Sequence, residues 1–326
     1  MNVIINFLFE SVKTGTPLLL GTTGEIISEK SGSMNLGVEG MMAVGAISGY
    51  YAGCKANSFL LAILIAFLSA ALCGLLFAFL TVTMQANQNV TGLALTIFGN
   101  GIYAFIGRTM ANSGSFPAMG DRMLVFSSDT GIPGLKEIPY IGKLLFSYNY
   151  FVYIAIAVAV LLWIYITKTK QGLRMRAVGE NPGAADASGV NITLYKYLNV
   201  TAGAGICGIG GLYMGMVINR GAWNPSWING IGWIAVALVI FAGWSPMKAI
   251  FGSCFFGVFN TLQAWKGNLA DAYPKILGWL GALPDEFYQM LPFLITALVL
   301  ILSSVRKKRR SAAPAYVGIN YFREER

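Results

Sequence analysis

The residues of this chain best suited to chemistry lie in a polar stretch at 171–191, QGLRMRAVGENPGAADASGVN, between long apolar runs. Anchoring in lipid does not require such a segment. It follows Lys168 and Lys170, carries Arg174 and Arg176, and continues into an Ala-rich turn between Pro182 and Gly189 that predicts a small helix outside the membrane. Its chemistry is docking: exposed charges and a short helix, held between two spans, offer a grip to a partner. A second set of groups suits a solute path. Asn35 and Glu39 lie in the glycine-rich SGSMNLGVEG at 31–40, Gln88 and Asn89 precede a span, and Asn100 falls within it. Polar groups at membrane depth are costly facing lipid, so they face protein or a water-lined cavity. The same glycines would equally serve a buried turn joining two helices.

Other chemistry is missing. No GxxxxGK[ST] phosphate loop occurs; Gly142-Lys143 is followed by Leu144. No carboxylate occurs between Glu39 and Asp121 or between Asp186 and Asp271, which disfavours an ion-coupled carrier acting alone, for which Glu10, Glu25 and Glu39 are the groups that could serve. Histidine is absent, and Cys54, Cys73, Cys207 and Cys254 show no CxxC pairing, so no metal site, disulfide framework or cofactor is expected and the cysteines read as packing residues. The chain is therefore expected not to be an enzyme and to depend on another subunit for energy.

These groups must be positioned by membrane helices. With 56% hydrophobic and 11% charged residues over 326, the sequence predicts an all-α polytopic membrane protein. The net charge of +9 reflects basic residues bunched where a membrane orients itself rather than a nucleic-acid surface. RKKRR at 306–310 directly follows an apolar run, which places the C-terminus and the 169–191 loop on the cytoplasmic side. Nine crossings fit, at roughly 5–28, 34–54, 58–84, 90–108, 149–168, 193–218, 228–244, 247–265 and 287–305, with the N-terminus outside; ten is the alternative. The transmembrane body then covers 1–305, with outer loops at 109–148 and 266–286 and a basic cytoplasmic tail at 306–326. Glu10, Lys13, Glu25, Glu29, Lys30 and Glu39 interrupt the first two crossings, which predicts broken or re-entrant helices there.

Smaller signals complete the reading. Trp223, Asn224, Trp227 and Asn229 suit a ring-like solute, but an interfacial aromatic belt with capping amides is favoured for them. Gly203, Gly205, Gly208, Gly210, Gly211 and Gly215 form small-residue stripes for close helix packing. Lys196, Arg220, Lys248 and Lys266 fall near span ends, where a long side chain reaches the interface. GMMAVG at 40–45 and GWIAVA at 232–237 share a GxxAV spacing, a faint internal echo.

Four segments resemble the membrane permease subunits of bacterial ABC importers in the branched-chain amino acid and simple sugar superfamily, nucleoside-type permeases above all. They are GEIISEKSGSMNLGVEGMMAVGA (24–46), ANQNVTGLALTIFGNG (86–101), GLRMRAVGENPGAADASGVN (172–191) and GWIAVALVIFAGWSPMKAIFGSCFFG (232–257). The resemblance implies the ABC importer permease fold, in the cell membrane, working with cytoplasmic ATPase subunits, a second permease subunit, identical or homologous, and an extracytoplasmic solute-binding protein. It implies that the 172–191 loop holds the coupling helix, with Gly179, Glu180, Asn181, Ala184, Ala185 and Gly189 in the docking turn and Arg174 and Arg176 flanking it. The resemblance implies a nucleoside as the solute; Ala242 and Ser245 in AGWSP, where related permeases more often show a glycine and an asparagine, depart from it and keep a simple sugar or riboflavin as alternatives. A carrier driven by ions and a membrane scaffold without transport are the readings from other classes.

Overall fold

Residues 2–139, 141–305 and 313–322 are described in a computed structural model, and they form helices and connecting loops without strands. The basic run at 306–310 lies outside the described residues. Six helix starts are set by local capping, in which a side-chain oxygen satisfies N–H groups of the first turn. Ser58, Asn87, Asn149, Thr169, Asn181 and Asn191 open α3 (Phe59–Ala78), α4 (Gln88–Asn112), α7 (Tyr150–Lys168), α8 (Lys170–Glu180), α9 (Pro182–Ala187) and α10 (Ile192–Tyr213) in this way.

The other elements are α1 (Asn2–Lys30), α2 (Val38–Ala56), α5 (Asp121–Ser127), α6 (Ile141–Phe146), α11 (Ile231–Phe241), α12 (Pro246–Ala272), α13 (Pro274–Ala282) and α14 (Asp285–Val305). α3 and α10 each end in a π-helical turn, Phe79–Thr83 and Met214–Ile218. Among the described residues, five helices are long and apolar enough to cross a membrane: α1, α3 and α10 with their extensions, α4 and α7. The protein is a multi-pass membrane protein built from a bundle whose centre is α10, packed against α1, α2 and α3. α12 lies along α1, and α4 along α2.

Glycine makes that centre possible. A Cβ on Gly203 would overlap the Gly24 carbonyl, one on Gly211 the Met42 carbonyl, and one on Gly208 the Ala70 methyl, so α10 sits at backbone distance from α1, α2 and α3. The small-residue stripes expected in this span thus serve packing, as in membrane helix pairs generally. The four cysteines are free, and Cys207 is buried in this contact.

Three expectations need correction. α1 and α2 are continuous rather than broken; most of their polar groups lie between helices, and several are paired. Lys13 bridges Glu10 at 3.2 Å and Asp129 at 2.8 Å, the Asn35 N–H donates to Glu25 Oε1 at 2.9 Å, and the Trp244 indole N–H donates to Glu29. The interruption falls instead at the seventh crossing. α11 has 11 residues, about 16 Å at 1.5 Å per residue, roughly half of a hydrocarbon core of ~30 Å, and the chain before it at 219–230 is largely non-helical. The outer loops are also more structured than expected: 109–148 contains α5 and α6, and 266–286 is taken up by the end of α12, by α13 and by the start of α14.

The 219–230 segment is anchored by aromatic side chains rather than exposed as a belt. Trp227 is 1% exposed, its ring 5.4 Å from Tyr50 and 5.8 Å from Trp223, and its indole N–H donates to the Ala222 carbonyl at 2.8 Å. The Tyr103 hydroxyl donates to the Asn224 carbonyl at 2.5 Å, and the Tyr50 hydroxyl reaches the Gly221 carbonyl at 3.3 Å. Non-helical backbone inside a membrane protein needs partners of this kind, because lipid supplies none. The belt reading of Trp227 fails because its neighbours come from α2, α4 and α10, far apart in sequence.

Candidate functional site

Two sites assemble from the predicted residues. The first is the projection formed by α8 and α9. Thr169 Oγ1 accepts from the Gly172 N–H at 3.0 Å, starting α8 one residue after α7 ends. Asn181 Oδ1 accepts from the Ala184 N–H at 3.0 Å, and Pro182 supplies the fixed first turn of α9. Gly189 ends the turn at φ +76°, a left-handed conformation that glycine adopts freely. Met175, Val178, Gly179 and Ala185 are buried beneath, while Arg174, Glu180, Asn181, Ala184 and Gly189 are exposed and Arg176 is half-buried.

The exposed face carries a groove of about 310 Å³ whose walls include Leu173, Arg174, Glu180, Asn181 and Ala184. Leu173 is 60% exposed there. An apolar floor with a cation and a carboxylate at its edges suits a protein side-chain knob, not a metal or a reacting substrate. Sequence reasoning did not single out Leu173; its exposed place on an otherwise amphipathic helix was the available signal.

α8 also leans on the end of α1. A Cβ on Gly179 would overlap the Lys30 carbonyl and come within 3.1 Å of the Gly32 nitrogen. Residues 313–322 then cross this end of the bundle. The Tyr316 N–H donates to the Gly179 carbonyl at 3.0 Å, the Ala315 N–H to Glu180 Oε2 at 3.3 Å, and the Tyr321 hydroxyl to Asp186 Oδ2 at 3.2 Å. Asn320 accepts from Gln88 Nε2 at 3.0 Å and donates to the Gln85 carbonyl at 2.8 Å. The tail is thus a strap joining the projection to α4 and to the turn after α1.

The path candidates separate into two levels. Asn35 and Gln88 are buried at the α8–α9 end and shape the 31–37 turn: Asn35 Oδ1 accepts from the Gly37 N–H at 2.9 Å and Gln88 Oε1 from the Met34 N–H at 2.7 Å. Asn89 is exposed and is not brought to them; its backbone N–H is capped by Asn87 at 3.0 Å.

Deeper in the bundle, Glu39 and Asn100 come together. Glu39 is buried, and its carboxylate is approached by the Asn100 amide and by the backbone at Gly230 and Trp233. Gly232 packs so tightly on Glu39 that a Cβ there would overlap its Cα. Gly230, at φ +78°, opens α11 without a side-chain cap of its own. Glu39 therefore stands beside the start of α11 from a different helix, bringing an acidic group to the positive end of a half-length helix while its Oε2 is left without a partner. The level is internal, since α11 starts beside the middle of α1, where Ile234 meets Leu18. The two GxxAV segments open α2 and α11, and their first turns meet at this contact.

Comparison with known proteins agrees with this architecture. The family described as "Branched-chain amino acid transport system / permease component" matches residues 7–300. A guanosine ABC transporter permease protein of Bacillus subtilis is 33% identical over 319 residues, covering 95% of this chain and 94% of its own. A nucleoside ABC transporter permease protein of Lactococcus lactis is 31% identical over 330 residues, 99% and 97% of the two chains. A putative glucose ABC transporter permease protein of Haloferax volcanii is 31% identical over 340 residues, 99% of each. No solved structure matches the chain.

Proposed function

This chain belongs to the permease component family of branched-chain amino acid transport systems, and on that premise we propose that it carries a small, uncharged, ring-containing solute, a nucleoside, through an ATP-driven importer. It is an ABC transporter permease, a membrane component whose partners are an ATPase and other ABC components. One of two cytoplasmic ATPase subunits grips the α8–α9 groove, a second permease subunit completes the path, and a solute-binding protein delivers solute at the opposite end.

One observation carries the choice of an uncharged solute. In carriers built on broken helices, a half-helix start directed at the path attracts anionic groups of the substrate. Here the α11 start is already met by the Glu39 carboxylate, so its positive end is neutralised from within. What remains beside it is the half-buried Asn100 amide, and Trp233, 36% exposed, follows in the first turn of the same helix. An amide and an aromatic face suit a hydrogen-bonding ring without net charge. The guanosine and nucleoside permeases among the relatives support the same solute class. The Haloferax relative, with its glucose designation, favours a simple sugar as the second reading.

Coupling follows from rigid connection. α8 begins one residue after α7, α9 leads through the Asn191 cap into α10, and Gly179 bears on the end of α1. A push on the projection is therefore delivered to three helices at once, two of which line the bundle centre. The Lys168, Lys170, Arg174 and Arg176 charges support a cytoplasmic position for this end. The test is uptake by proteoliposomes holding the permease, its ATPase and its binding protein. ATP-dependent guanosine uptake, competed by other nucleosides and not by glucose, is the expected result. Glucose uptake instead selects the sugar reading, and uptake by the permease alone under an ion gradient overturns the ABC-driven reading.

A further inference from the structure

Beside the projection lies a cavity of about 720 Å³ that neither docking nor the solute path uses. Its walls are the end of the α3 extension at Thr81 and Gln85, the end of α9 at Asp186, the first turns of α10 at Thr193 and Lys196, and the strap at Tyr321. Two of its polar groups lack partners. Lys196 is 5% exposed, and among the described residues no ion pair or hydrogen bond engages its ammonium. Gln85 donates through Nε2 to the Val82 carbonyl at 2.8 Å, yet its buried Oε1 accepts from nothing. A buried cation without an anion and a buried acceptor without a donor are both costly.

From this pairing we propose that the cavity binds a phosphate-bearing, hydroxyl-rich small molecule, with its phosphate on Lys196 and its hydroxyls toward Gln85. The start of α10 lies on the same wall, where the positive end of a helix favours negative charge, although its Leu194 N–H is already capped by Asn191 Oδ1 at 3.0 Å. Asp186, which accepts the Tyr321 hydroxyl at 3.2 Å, lies on the wall and would repel an anion placed beside it, so it fits the hydroxyl-bearing end of the ligand. The volume accommodates a mononucleotide-sized molecule. Such a ligand has two possible origins, a soluble phosphate ester or the phosphoglycerol headgroup of an anionic lipid. Because α9 and the strap form two of the walls, an occupant ties the docking projection to α3 and α10.

The experiment uses the full permease in nanodiscs and reads binding directly, independently of transport. AMP is titrated calorimetrically in phosphatidylcholine discs, and thermal stability is compared between phosphatidylcholine and phosphatidylglycerol discs. The expected result is AMP binding that weakens about tenfold or more in Lys196→Met, the loss of one charge-assisted hydrogen bond. Gln85→Leu, at a half-buried wall position, weakens it less and guards against misfolding of the lysine variant. Stabilisation by phosphatidylglycerol alone, lost in Lys196→Met, assigns the site to a lipid headgroup. Absence of both effects, or effects unchanged in both variants, overturns the proposal.

Discussion

Gly45 and Gly208 meet backbone to backbone where α2 crosses α10: a Cβ on Gly45 would fall inside contact distance of the Gly208 Cα and within 2.7 Å of its carbonyl oxygen. No side chain of either helix can yield there, because the obstacle is main chain. Gly45→Val is therefore expected to destabilise the protein by at least about 1–3 kcal/mol, the usual cost of overpacking. Gly101→Val, at a glycine with nothing within 4 Å of an added Cβ, is the control. Thermal unfolding in detergent should show a large loss for the first and little for the second.

The anchoring of the 219–230 segment by Trp227 gives a second expectation. Trp227→Ala removes a fully buried indole and leaves Tyr50 and Tyr103 facing a void, which should cost roughly 3–5 kcal/mol. Trp227→Phe keeps most of the packing and loses the bond to the Ala222 carbonyl, so it should cost about 1–2 kcal/mol. Equal losses in the two variants would show that the ring is not packed as described.

For Glu39, the comparison is between shape and charge. Glu39→Gln retains an acceptor for the α11 start but gives up the carboxylate, whereas Glu39→Ala leaves the first turn uncapped, at about 0.5–2 kcal/mol for a lost cap. Nucleoside uptake at saturating ATP should fall in the order wild type, Gln, Ala. The Gln variant should also begin to tolerate an anionic solute such as uridine monophosphate. Identical uptake by all three would remove Glu39 from the path.

Docking at α9 is tested on its exposed side. Ala184→Glu places a charge in the groove, while Ala187→Glu adds the same charge to an exposed position of the same helix that does not line it. The first should reduce ATP-driven uptake by about tenfold or more, comparable to a hot-spot loss of ≥ 2 kcal/mol, with the assembled complex recovered in lower yield. The second should leave both nearly unchanged.

How far these arrangements were readable in the sequence depends on the range of the interactions. Caps and apolar runs are local, so each expected crossing falls on a helix and α9 lies where Pro182 and Gly189 bracket it. The polar residues of α1 misled because their partners, Asp129 and Trp244, are 116 and 215 positions away. The run before residue 244 looks like a span by hydropathy, yet the burial of Trp227 against three other helices makes its first part an inserted loop. For the site, Glu39 and Asn100 were named as separate polar groups. What sequence could not supply was their meeting at the start of α11, since residue 230 is as far from both in sequence as it is close in space.

The strap also imposes an order on biogenesis. Glu180 and Asp186 each bond to a residue made 135 positions later, and between them the chain must thread α10 to α14 into the bundle. Until α14 is inserted and residues 313–322 fold back, the docking face lacks one of its supports. A partially synthesised or wrongly inserted permease thus presents an incomplete surface to its energy-supplying partner, so assembly of the complex is biased toward chains whose membrane insertion is already complete.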